Sequence, residues 1–307
     1  MIVTFRRELK AAASWLPTPV VRPLRRYRDS MIKSRVEAIL ARNTAPQTAA
    51  AEADFDRLQR EFNGVPDYGF DFHNTWKRAV GRALELAEML PDKTHSYRVL
   101  EVGCGDAMTG YLLSTHGHQI TVSDMDDWRD PMAKSLDFCK SILEQGLPYD
   151  SGAFDFIFSY NAFEHFNDPG VCFAELTRLV KPGGHIHLSF GPVYASAWGM
   201  HAASSLMMPY PQYLFSPEFT AAKLKATGIY DLGKNSDALQ PMNRWTARQF
   251  CALWSGPKWR ILKSDLWGPD DFLHMILRYP DSFTGRGLTF EDVITQAITV
   301  TLERQPD

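Results

Sequence analysis

The chain has 307 residues, enough for one large α/β domain with additions or for two small domains. Its 33 Lys and Arg face 36 Asp and Glu, so no global basic field points to a nucleic-acid partner. Cys104, Cys139, Cys172 and Cys251 stand far apart with no C-x-x-C pair, which fits reduced thiols in the cytoplasm and argues against a disulfide or zinc framework.

Residues 1–53 read as a basic extension and linker. Arg6, Arg7, Lys10, Arg22, Arg25, Arg26, Arg28, Lys33 and Arg35 face only Glu8 and Asp29, with Trp15, Leu16, Val20 and Val21 between them. Such an arm is a peripheral contact with the anionic inner face of a membrane, a contact with other anionic partners, or a solvated, partly helical extension. No apolar run reaches bilayer-spanning length, and no continuous apolar stretch resembles a secretory signal. Asn43 to Ala53, rich in Ala, Thr, Pro and Gln, reads as the linker.

Two helices are expected over residues 54–97. Phe55, Leu58 and Phe62 recur at helical spacing. Trp76, Val80, Ala83, Leu84, Ala87 and Leu90 form a longer stripe, stopped by Pro91, that suits packing on a sheet.

Residues 98–190 carry the organising pattern. Arg98 to Val102 reads as a short buried strand, followed by Gly103-Cys104-Gly105-Asp106 and a helix reaching about His116, with Gly117 ending it. Glycine admits positive φ and lets a ligand approach the backbone without a Cβ clash. Gln119 to Ser123 is a second strand with Asp124 at its carboxyl end, close to the ~20-residue spacing at which an acid meets a ribose. A carboxylate there accepts hydrogen bonds from both vicinal hydroxyls, with Met125 along the base; otherwise Asp124 is a solvated loop acid. Met108 stands where a dinucleotide fingerprint needs its third glycine, and no Gly-Lys-Ser/Thr follows, so NAD, FAD and Walker-type nucleotide sites are disfavoured. Phe154 to Ser159 is an apolar strand that leads into Tyr160-Asn161-Ala162-Phe163-Glu164-His165-Phe166. Asp168 and Pro169 then open a helix, Lys181 to Gly184 is a turn, and His185 to Phe190 is the next strand. His185 and His187 alternate as H-x-H, but no further ligand sits at a telling distance, so no metal is expected.

The acid-x-Gly-x-Gly turn, Asp124 and the run from Phe154 to Phe190 together resemble the class I, Rossmann-like S-adenosylmethionine (SAM) dependent methyltransferases of the methyltransferase type 11 kind. Ala107 takes the place of their usual third glycine. The resemblance implies a doubly wound sheet of about seven mostly parallel strands with one antiparallel strand near the end. It also implies SAM as cofactor, with Glu101, Gly103, Cys104, Gly105, Asp124, Met125, Ser141, Ile142 and Asn161 around it. Ser141 stands where the family places an aspartate on the adenine amino group, with Asp137 as the substitute if the loop is longer. Helices before the first strand cover the cofactor in that family, which brings Tyr68 and Trp76 into question.

Residues 191–245 depart from this pattern. Tyr194, Trp198, Met200, Met207, Met208, Tyr210, Tyr213 and Phe215, with Pro209, Pro211 and Pro217, make an aromatic insertion. It is either a lid and acceptor pocket or a packing loop or dimer surface. Gly191-Pro192-x-Tyr194 and Trp198-Gly199-x-His201 resemble methyltransferases of bacterial glycan assembly. In residues 246–307, Thr246-x-x-Gln249 is a capping box, and Trp259 to Leu266 and Val293 to Leu302 read as two last strands, the latter antiparallel near an edge.

The resemblance therefore implies methyl transfer, by O-methylation, to a small-molecule or glycan acceptor. A hydroxyl acceptor benefits from a general base, and His165 and His201 are the candidates. The competing readings are a non-catalytic SAM-binding interaction protein and a NAD(P)-linked oxidoreductase.

Overall fold

The computed structural model describes residues 18–48, 50–62, 69–92, 94–231 and 234–306, with side chains from Asp29 onward. Tyr68 and most of the basic side chains of residues 1–35 lie outside this description.

Strands β1 (Arg98–Val102), β2 (Gln119–Asp124), β3 (Asp137–Lys140), β4 (Phe154–Tyr160) and β5 (Val180–Phe190) pair in parallel. A small antiparallel hairpin, β6 (Ile229–Asp231) with β7 (Lys234–Ser236), stands apart. The main sheet is completed by β8 (Trp259–Trp267) and β9 (Ala297–Arg304) in the order β3-β2-β1-β4-β5-β9-β8. Only β9 runs against the other six, pairing antiparallel with both β5 and β8. This is the Rossmann-like, mostly parallel seven-stranded sheet expected from the sequence. Strand order reverses between β1 and β4, the kind of switch point beside whose carboxyl ends open α/β sheets bind ligands. β1 and β4 are buried along most of their length on both faces, as central strands of a sheet covered on two sides are.

Several elements differ from the sequence reading. Lys181 to Gly184, expected as a turn, lie inside β5, where its pairing with β4 shifts register. β3 carries too little apolar pattern to be read as a strand, and it opens with Asp137 opposite Thr121, at the end of the sheet away from the crevice. Asp137 therefore does not substitute for Ser141, which directly follows β3. Helix Phe72–Met89 buries Ala79, Ala83 and Leu86 and leaves Leu84 61% exposed. Two alanines on that face let the helix approach its neighbour Met108–Ser114, and close packing outweighs side-chain size. Val293 and Ile294 belong to a short helix, Phe290–Ile294, not to the last strand. Thr289 and Asp292 cap it reciprocally, and β9 starts only at Ala297, in the sheet interior rather than at its edge. The helix Leu273–Arg278 had no sequence expectation. The capping box at Thr246 and Gln249 is present as read, opening helix Ala247–Leu253.

A second core lies beside the sheet. Val36, Ile39 and Leu40, at the end of helix Thr18–Leu40, pack with Trp198, Met208, Tyr210 and Tyr213 of the insertion and with Met275, Ile276 and Phe283. Most aromatics of the insertion are thus spent on packing. The stretch read as a linker is strapped down: Gln47 N donates to Asp281 O (2.9 Å) and Gly285 N to Arg42 O (2.7 Å).

Asp292 joins the two cores. It is fully buried, and its Oδ2 accepts from Thr289 N (3.0 Å) and Arg248 Nε (2.9 Å). Removing the carboxylate strands the Thr289 donors while the half-exposed Arg248 regains water, so Asp292→Ala should lower unfolding stability by about 1–3 kcal/mol in urea titrations. A loss under about 1 kcal/mol, the value of an exposed pair, would contradict this role.

Candidate active site

The turn after β1 is built by backbone conformations that few side chains tolerate. Gly103, Gly105 and Ala107 all have positive φ, at 65°, 50° and 56°. Gly103 N and Cys104 N donate to Ser123 O (2.9 and 3.2 Å), which ties the turn to β2. The two glycines serve different ends. A Cβ on Gly103 would lie 2.4 Å from Ala162 Cβ, in the loop after β4, whereas a Cβ on Gly105 meets nothing within 4 Å. Gly103 permits a close approach between loops, and Gly105 keeps space open above the turn.

Asp124 closes one side of that space. Its Oδ2 accepts from Gly105 N (2.9 Å) and its Oδ1 from Met125 N (2.7 Å). Burial raises its carboxyl above the usual range, opposed by those two backbone donors. Each oxygen keeps acceptor capacity for a further hydrogen bond. Ser141 N donates to Asp124 O (3.0 Å), so the segment after β3 reaches the same rim. Met125 and Ile142 are 59% and 41% exposed there, large apolar side chains that a flat ring would cover. Asn161 follows β4 with φ of 50°, its N–H donating to Ser189 O (2.9 Å). Cys104 is buried beneath the turn, and burial raises its thiol well above the ordinary range.

Glu101 is placed differently from the sequence expectation of a ligand contact. Its Oε2 accepts from Gly110 N (3.1 Å), inside helix Met108–Ser114, and burial pushes its carboxyl up to about 8. It clamps β1 to that helix. Trp76 lies against Phe72, their rings stacked at 5.9 Å.

The loop after β4 and the insertion supply a second group. His165 Nδ1 lies 2.8 Å from Pro241 O. A carbonyl only accepts, so Nδ1 carries the proton and Nε2 presents its lone pair. The His201 ring lies 5.2 Å from the His165 ring, tilted by 31°. The two histidines singled out separately from the sequence are therefore neighbours. Glu164, which sequence reasoning passed over, completes the group: its Oε1 accepts from Gly191 N (3.1 Å) and stands 4.0 Å from His165 Nε2. Glu164 Oε2 and His201 Nδ1 are buried without a hydrogen-bond partner among the described residues. Burial pushes Glu164 up to about 8 and His165 down to about 4, and it lowers His201 as well. Near neutral pH the group is uncharged, with a proton on the acid and none on His165 Nε2. The signal for Glu164 was its place beside His165 in the Phe163 to Phe166 run, but nothing in a single sequence shows that its side chain turns inward.

His185 and His187 have structural partners. His187 Nδ1 pairs with Thr301 Oγ1 (2.9 Å), and His185 Nε2 stands 3.6 Å from Glu303. Among the described residues no group of His, Cys, Asp and Glu is arranged to hold a metal.

Residues 100–188 match the family model described as "Methyltransferase domain". The ubiquinone biosynthesis O-methyltransferase of Cronobacter sakazakii is 28% identical over 113 residues, covering 34% of this chain and 46% of that protein. The glycine/sarcosine/dimethylglycine N-methyltransferase of Actinopolyspora halophila is 24% identical, covering 53% and 30%. The chain thus spans about half the length, or less, of these curated relatives. A solved S-adenosylmethionine dependent methyltransferase from Mesorhizobium loti is 20% identical with a TM-score of 0.43, covering 74% of this chain and all of that one.

The opposite shifts within the buried group give opposite pH signatures. The unfolded chain protonates His165 near 6.5 and the folded chain only near 4, so stability present above pH 6.5 is lost as pH falls toward 4. Glu164 behaves in reverse: its contribution is complete below about pH 4.5 and lost as pH rises through 8. In denaturant titrations, His165→Gln should flatten the acid limb by on the order of 2–3 kcal/mol, and Glu164→Gln should flatten the alkaline limb. Unchanged slopes in both variants would show that neither group is buried in the state described.

Proposed function

We infer that this chain, which carries a class I methyltransferase domain over residues 100–188, binds SAM across the carboxyl ends of β1 and β2 and methylates a hydroxyl of a small-molecule acceptor. The single observation that carries the reading is the juxtaposition of the glycine turn with a tautomer-fixed His165. Gly103 packs on Ala162 in the loop that also bears Glu164 and His165. The residues present fit the cofactor. The open space over Gly105 would take its backbone-hugging part, Asp124 would hold the two ribose hydroxyls, and Met125 and Ile142 would flank the base. When bound, SAM supplies a methyl group on an already activated sulfonium, so the chain needs to align an acceptor and exclude water.

The chain's own proton chemistry follows from burial. A hydroxyl must lose its proton as the bond to methyl forms, and the lone pair on His165 Nε2 would take it. Pro241 O fixes the ring by accepting from Nδ1. Glu164, 4.0 Å from Nε2, is a positioning group: its Oε1 accepts from Gly191 N and would hold the loop that carries His165. The His201 ring lies beside that of His165, tilted by 31°. The O-methyltransferase name of several relatives supports a hydroxyl acceptor.

Isothermal titration with SAM and S-adenosylhomocysteine tests the binding half. Gly105→Val should remain folded, since its Cβ enters open space, yet lose binding. The left-handed φ there costs roughly 1–2 kcal/mol of stability. Asp124→Ala should weaken binding by roughly 1.5–3 kcal/mol, the range for hydrogen bonds to a charged group. Asp127→Ala should change it little, because that carboxylate is taken by Arg129 and Lys134. Equal effects at Asp124 and Asp127 would move the ribose elsewhere. With an acceptor in hand, His165→Gln should cut turnover by about 10²–10⁴-fold while leaving SAM affinity intact. Wild-type turnover in that variant would leave alignment alone as the chemistry, and no turnover by the wild type with any hydroxyl acceptor would favour a non-catalytic SAM-binding protein.

A further inference from the structure

The two edges of the main sheet are treated very differently. At one end β3 is only four residues long and begins and ends on charged side chains, Asp137 and Lys140, a common way to blunt an edge. At the other end β8 is nine residues long, and every residue from Arg260 to Trp267 is exposed. Ile261, Leu262, Leu266 and Trp267 are 44–58% exposed, although a strand of this length normally buries one face. β9 occupies one side of β8, and no described strand pairs with the other. Such an edge is a template for another strand.

The sequence of the strand selects its occupant. Leu262-Lys263-Ser264-Asp265-Leu266 has the same chemistry read in either direction, with its charges exchanged. We propose that β8 is the interface between two copies of this chain, paired antiparallel about a two-fold axis at Ser264. In that register Leu262 lies opposite Leu266 of the second copy, Lys263 lies opposite Asp265, and Ser264 faces itself. Directly opposed unlike charges stabilise an antiparallel pair and like charges oppose it. Any one-residue slip removes both ion pairs, so the charges define the register. β8 pairs in register with β9 from Trp259 to Ile261 and again from Lys263 to Trp267, with Leu262 as the extra residue between, so the axis at Ser264 and both ion pairs fall in the second regular run. Lys263 Nζ reaches Glu85 Oε1 (2.8 Å) within its own chain and, with three donors, bridges to Asp265 across the axis. The pairing is isologous, so it closes at a dimer with one fourteen-stranded sheet and does not propagate into fibres.

The test combines charge exchange with a register probe on the full chain. By sedimentation velocity at about 20 μM the wild type should be a dimer, in the range where a moderate interface is populated. Asp265→Lys sets lysine opposite lysine twice and should weaken the dimer about tenfold or more. Lys263→Asp combined with Asp265→Lys restores unlike pairs and should return the dimer to near wild-type affinity. Independently, Ser264→Cys should form an intermolecular disulfide on mild oxidation, because opposed Cα atoms in an antiparallel pair, about 4.5–5.5 Å apart, lie within disulfide reach. A monomeric wild type would overturn the proposal. So would an Asp265→Lys dimer as tight as the wild type, or a double variant that stays monomeric while its far-UV circular dichroism is native. If the charge variants fail to fold, the cysteine variant decides alone: no crosslink above that of the wild type overturns the interface.

Discussion

The contact between Gly103 and Ala162 sets the geometry on which the rest of the site depends. A Cβ at position 103 would lie 2.4 Å from Ala162 Cβ, closer than any two such atoms come. With glycine there, the loop leaving β1 and the loop leaving β4 press against each other where the strand order reverses. The first loop carries the open space over Gly105 and the hydrogen bond to Asp124; the second carries Glu164 and His165. One missing methyl group therefore brings the open space over Gly105 beside the loop that carries Glu164 and His165.

The second core gives that acceptor its environment. His201 sits in a turn with φ of 55°, a strained conformation for a residue with a side chain. It is held by the packing around it. Gln212 Nε2 donates to Tyr194 O (2.8 Å) and Ser196 O (2.9 Å), and Tyr210 N donates to Ala197 O (2.7 Å). The buried aromatics of the insertion, joined by the end of helix Thr18–Leu40, form the platform for these bonds. The same burial that fixes His201 strips water from His165 and Glu164, and desolvation is the first cause of the shift at each of the three. The packing and the proton chemistry thus have one source.

How much was legible in the sequence follows the range of each interaction. The glycine turn, Asp124, the Asp168 cap and the Thr246 capping box are local devices whose spacing survives in a string of letters, and the structure holds them where the spacing put them. β3 was invisible because a four-residue strand leaves no periodicity. Val293 and Ile294 look strand-like in sequence, while the cap from Thr289 to Asp292 and the contact of half-exposed Arg248 with buried Asp292 make them helical. The burying face of Phe72–Met89 was misjudged because two alanines matter more for close approach than the larger Leu84. The two histidines were chosen for chemistry, but their contact joins positions 165 and 201 through an insertion whose path no local rule predicts. Glu164 was missed since only tertiary structure decides whether a carboxylate points to water or inward.

A crystal structure of the protein with S-adenosylhomocysteine tests the central claim most directly. The account predicts both ribose hydroxyls within about 2.5–3.0 Å of the Asp124 carboxylate, with the thioether facing the Glu164, His165 and His201 group. A ligand bound elsewhere, or one in the crevice whose thioether faces away from His165, would contradict it.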